Sequence, residues 1–92
     1  MSKKKNIIKQ WVEERGAMCE KRSVAALIKF MEKWTELGIY DVETLNKFKA
    51  ADKKIQKLTL CKIIYNSTNV SEETIEWALS WCLKNGYNPM IM

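Results

Sequence analysis

The sequence predicts an all-α domain, a compact bundle of four to five short helices. Three observations carry that reading. Apolar residues recur at intervals of three and four along most of the 92-residue chain, the spacing that lines one face of a helix. No stretch alternates with the period of two that a half-buried strand requires. Glycine and proline number only three and one, and Gly38 and Gly86 stand where helices would stop.

Length and composition set the frame. Ninety-two residues make one domain, 1–92. A hydrophobic fraction of 47% supplies enough apolar surface to offset the entropy of ordering the chain. A chain this short still buries only about 60–65% of its unfolded surface, which leaves room for stabilisation by a homodimer or a bound partner. Residues 1–5 read as a flexible basic head and 88–92 as an apolar tail.

The first helix is expected from Ile7, behind an Asn6 cap, to about Arg15. Ile7, Ile8, Trp11, Val12 and Arg15 share one face, and Gly16 weakens the case for continuation. A second helix covers about 18–37, either continuous or restarted at Ser23. Val24, Leu27, Ile28, Phe30, Met31, Trp34 and Leu37 give it a stripe wide enough for the centre of the core. After a turn at Gly38-Ile39-Tyr40, Asp41 caps the next helix.

From Val42 to Tyr65 there is neither glycine nor proline, so one long helix is allowed. Phe48, Ala51, Ile55, Leu58, Lys62 and Tyr65 fall in steps of three and four along it, but the polar patch at Asp52-Lys53-Lys54 favours two helices, 42–50 and 52–65. Asn66-Ser67-Thr68-Asn69 is a loop. The last helix starts at a Ser71 cap with Glu72 and Glu73 at the positive end of its dipole. It runs through Lys84 and closes at Asn85-Gly86, with Tyr87 folding back onto Cys82.

Several function classes lose their support on composition alone. Histidine is absent, which removes the commonest general base and the commonest metal ligand together. Cys19, Cys61 and Cys82 are odd in number and far apart, unlike a disulfide scaffold or a zinc site. They read as small buried hydrophobes in a reducing, cytoplasmic setting. No signal peptide and no membrane-length apolar run is evident. The expectation is a binding protein without catalytic residues, cofactor or metal.

Two segments carry candidate binding chemistry. Lys47, Lys49, Lys53, Lys54 and Lys57 face only Asp52 within 47–57, and on a continuous helix Lys49, Lys53 and Lys57 would form an i, i+4, i+8 row. Such a ridge suits a phosphate backbone, although a solvated, solubilising helix face has the same composition. With 14 lysines and two arginines, Arg15 and Arg22, any nucleic-acid contact would be weakly sequence-specific. The stretch 59–83 resembles a helix-turn-helix in outline, but Glu72, Glu73 and Glu76 at its front would repel a phosphate-lined groove.

The second segment holds Trp77 and Trp81, one helical turn apart and beside the core stripe drawn by Ile75, Ala78, Leu79 and Cys82. Aromatic residues so placed mark interaction surfaces, or else bury at the stripe's edge. Glu73, Glu76 and Lys84 would rim them. Trp34 belongs to the core; Met90 and Met92 could form an adaptable sticky end. The abundance of Lys, Asn and Ile suggests an AT-rich coding sequence, as in phages and mobile elements.

The leading expectation is therefore a small protein-binding regulator or inhibitor of the phage or mobile-element type, acting on a host protein or nucleoprotein machine. The alternative is a nucleic-acid binder using the lysine ridge.

Overall fold

A computed structural model describes residues 2–89, and its regular structure is entirely helical. In chain order the helices are α1 (Ser2–Glu20), α2 (Val24–Glu36), α3 (Val42–Ala50), α4 (Lys53–Tyr65) and α5 (Glu72–Lys84). The all-α bundle and its five short elements match the reading of the sequence. Met90 and Met92 lie outside the described residues.

Helix starts follow the capping chemistry written in the sequence. Ser23, Asp41 and Ser71 each accept a hydrogen bond from the backbone N–H three residues on, at 3.3, 2.7 and 3.3 Å, which satisfies one orphan donor at each start. Helix ends at Gly38 and Gly86 take the left-handed φ that glycine tolerates, +85° and +81°. There Ile39 N–H donates to Trp34 O and Tyr87 N–H to Cys82 O, both at 2.8 Å, closing each helix with a backbone bond that reaches back over its last turn.

The first helix departs from expectation at both ends. It does not start behind an Asn6 cap or stop near Arg15, but runs from Ser2 through Gly16 to Glu20, with Asn6 inside it. Gly16 is buried in mid-helix, where a side chain would collide with the loop residue Asn69. Of the two readings of the second helix, the restart at Ser23 is the one observed: Met18 and Cys19 belong to α1, and Arg22, at a positive φ of 52°, turns the chain into the Ser23 cap. The split near Asp52 falls as expected, although Asp52 itself makes no side-chain cap and α4 begins at Lys53.

Two positions read as core do not face inward: Ile55 and Leu37 are 48% and 51% exposed. Gln56 is buried instead, and its amide donates to Phe48 O at 2.8 Å and Lys49 O at 3.3 Å. It satisfies Lys49 O at the end of α3 and adds a second donor to Phe48 O, which also accepts from the Ala51 N–H at 3.2 Å.

α5 packs on α4, α1 on α2 and α4, and α2 also on α3 and α4. The fully enclosed centre is built from Trp34, Leu27, Leu60 and Ile64 together with Cys19, Cys61 and Cys82. All three thiols are free and buried. Trp11, Phe30, Trp34 and Tyr40 form an aromatic group between α1 and α2, with neighbouring ring centroids 6.3–6.4 Å apart.

Candidate functional site

The N-terminus of α5 is tied to the α1–α2 turn by a polar knot. Glu20 Oε2 accepts from Ser71 N–H at 2.6 Å, and Oε1 accepts from the hydroxyls of Ser71 at 3.0 Å and Thr74 at 2.6 Å. These donors, led by the Ser71 backbone N–H, hold the Glu20 carboxyl below the usual carboxylate range. Arg22 donates from Nε and Nη2 to Thr74 Oγ1 at 3.2 and 3.1 Å, and reaches Glu73 at 3.4 Å. The knot fixes the rotation of α5 about its axis. Trp77 is thereby held beneath Arg22, whose guanidinium carbon lies 5.8 Å from the ring centroid.

Across the α4–α5 contact, Lys57 sits over both indoles of interest. Its ammonium nitrogen is 5.5 Å from the Trp77 ring centroid and 5.8 Å from that of Trp81. Farther along, Lys54 stands 5.8 Å from the Tyr87 ring. Trp77, Trp81 and Tyr87 are each half-buried, with one side packed against the core. Cations and aromatic rings therefore alternate along a single face. Each such pairing contributes about 0.5–1 kcal/mol where water has access.

The two segments that the sequence offered as separate faces thus meet at Lys57. The structure brings Lys57 to the tryptophans and Lys54 to Tyr87 beside them, and parts the other lysines of that segment from the face. Because the helix breaks at Ala51-Asp52, Lys49, Lys53 and Lys57 do not form one continuous row. Lys49 pairs with Glu32 of α2 at 3.2 Å, while Lys47 and Lys53 are exposed on α3 and α4. Of the expected rim, Glu73 and Lys84 are exposed on the tryptophan side of α5. Glu76 is exposed too, but about 100° round the helix from Trp77 at the α-helical twist.

Arg22 and Tyr87 complete the face, and sequence reasoning did not place them there. Tyr87 could have been found from the glycine stop at Gly86, which turns the chain back over α5. Arg22 carried no such signal, since its position follows from a left-handed turn that a non-glycine residue seldom adopts.

A second exposed apolar group lies at the α2–α3 corner. Leu37, Ile39 and Val42 are all exposed there, next to Glu36, Asp41 and Glu43. It shares no residue with the tryptophan face.

Among the described residues, no three His, Cys, Asp or Glu side chains gather where they could hold a metal ion. No helix among them is long and apolar enough to cross a membrane. Comparison of the chain with protein-family models, curated proteins and solved structures finds no match.

Proposed function

We propose that this chain is a non-enzymatic binding protein that regulates or inhibits another protein, engaged through the α4–α5 face. The observation that carries the reading is the position of Lys57 over both Trp77 and Trp81. Half-buried indoles supply rigid apolar area at little entropic cost, and residues of this type dominate protein interfaces. Arg22, Lys54, Lys57 and Lys84 stand around this face, with the carboxylates of Glu73 and Glu20 gathered at the Arg22 end. The fitting partner surface is apolar at its centre and acidic at its edge.

A nucleic-acid reading draws on the same alternation, since single strands bind where bases stack on aromatic rings beside cations. Two features favour a protein. Lys57 and Arg22 already cover ring faces on which a base would have to stack. In addition, Lys49 is paired with Glu32 and the ridge from Lys47 to Lys57 is broken. A phage or mobile-element origin, with a host machine as target, suits a domain of this size and composition.

The test uses the whole chain as bait in a host-cell lysate treated with nuclease. The wild-type bait should retain a protein that Lys57→Glu and Trp81→Ala baits lose, with Val42→Ser at the α2–α3 corner as the control that keeps it. Circular dichroism of each bait checks that the fold persists. Capture that nuclease abolishes would favour the nucleic-acid reading. Capture lost only in Val42→Ser would move the interface to the α2–α3 corner.

A further inference from the structure

A cavity of about 360 Å³ opens between α1, α2 and α4, away from the tryptophan face. That volume falls within the range of roughly 300–1,000 Å³ typical of small-molecule sites. Phe30, Tyr40 and Ile63 form its apolar wall, and Arg15 and Lys62 bring two positive charges to it. No carboxylate lines it.

The cations are held in readiness. Arg15 stacks on Trp11, with its guanidinium carbon 4.6 Å from the ring centroid. Its Nε is buried and has no hydrogen-bond partner among the described residues. Its two terminal nitrogens are not enclosed in this way, and they are the donors that an acceptor in the cavity can meet. No salt bridge among the described residues engages Arg15 or Lys62. Two further polar donors of the wall are already in use: Thr59 donates to Ile55 O and Asn66 to Lys62 O, each at 2.9 Å. Phe30 and Tyr40 meet edge to face, with centroids 6.3 Å apart and planes at 65°. They present a corner into which a flat ring can insert.

We propose that this cavity binds a small organic anion carrying an aromatic ring. The anionic group lies between Arg15 and Lys62, and the ring lies against Phe30, Tyr40 and Ile63. Arginine is the fitting residue here, because its planar fork binds carboxylate and phosphate oxygens in pairs while its face stacks on an aromatic neighbour. Neither half of the ligand suffices alone. A bare anion leaves the apolar wall in water, and a neutral ring leaves Arg15 and Lys62 without a counter-charge.

Phenyl phosphate, inorganic phosphate and phenol separate these contributions. Each is titrated into the full chain and followed by the Trp11 indole and the Thr59 and Ile63 backbone amides in two-dimensional NMR. Phenyl phosphate should bind more tightly than either fragment. Lys62→Gln and Arg15→Gln should each weaken it by about tenfold or more, the scale of one lost charge-assisted contact. Lys62 is exposed, so its variant keeps the fold and decides the matter if Arg15→Gln unfolds. The proposal is overturned by absence of any shift up to about 10 mM, where a site of useful affinity would be filled. It is equally overturned by equal binding of inorganic phosphate, or by unchanged affinity in Lys62→Gln.

Discussion

Gly16 and Asn69 meet where α1 passes the loop between α4 and α5, leaving no room for a side chain between them. A methyl group at Gly16 would stand 2.7 Å from Asn69 Cγ and 2.9 Å from the Asn69 carbonyl oxygen. The Asn69 amide spans the contact and donates to Val12 O at 3.0 Å. This contact and the Glu20 knot hold the start of α5 against α1, and so hold the tryptophan face in place.

Gly16→Ala tests the contact by its sign. In an open helix the change would stabilise by about 1 kcal/mol. Here the loop backbone must shift, and a loss of about 1–3 kcal/mol is expected. Urea unfolding followed by circular dichroism measures it. A stabilised variant would show that α1 and the loop do not touch.

Gln56→Leu keeps approximate volume but removes the amide that serves Phe48 O and Lys49 O. Lys49 O then loses this donor, and Phe48 O loses its buried bond to the amide and keeps only the Ala51 N–H. The expected cost is about 1–3 kcal/mol, despite the gain in apolar character. A gain in the urea midpoint would contradict the role given to Gln56.

How far the sequence could be read is clearest at these two residues. Helix identity and three of the starts were legible because periodicity and caps are local: Ser23, Asp41 and Ser71 each act within three residues of themselves, whereas Asn6, read as a cap, lies inside α1. Gly16 and Gln56 answer to partners 53 and eight residues away, and nothing in their own neighbourhood reveals those partners. Gly16 therefore read as a helix breaker, and Ile55 took the core position that belongs to Gln56. The candidate face shows the same division. Trp77, Trp81 and the lysine segment stood out by composition, whereas their meeting at Lys57 depends on how α4 packs against α5.

Acid should loosen the protein through three carboxylates. The Ser71 N–H and Thr74 hydroxyl hold Glu20 below the ordinary range, the Thr44 N–H does so for Asp41, and the Lys33 ammonium with the Gln10 amide does so for Glu14. Each is more acidic in the folded chain than in the unfolded one. Its contribution is therefore full above the unfolded value, about 4–4.5, and is lost as pH falls through the folded value. Urea midpoints should drop between about pH 5 and pH 3, and Glu20→Gln should flatten that drop. An unchanged slope in the variant would remove Glu20 from the account.

The thiols should be inert in the native state. Burial, with Cys82 as neighbour, pushes Cys61 up to about 12. Burial likewise raises Cys19 and Cys82. Because the thiolate is the reactive form, alkylation by iodoacetamide at about pH 8 should proceed only as fast as the chain opens. Prompt labelling of any of the three would show a solvent path that the fold does not contain.

The central claim is that Trp77, Trp81 and Lys57 form one partner-binding face. The four tryptophans supply their own reporters, because each indole N–H gives a separate NMR signal. When a protein captured by the wild-type chain is added back, the Trp77 and Trp81 signals should move and that of the enclosed Trp34 should not. Lys57→Glu should abolish those shifts. Partner binding that moves neither Trp77 nor Trp81 would contradict the claim.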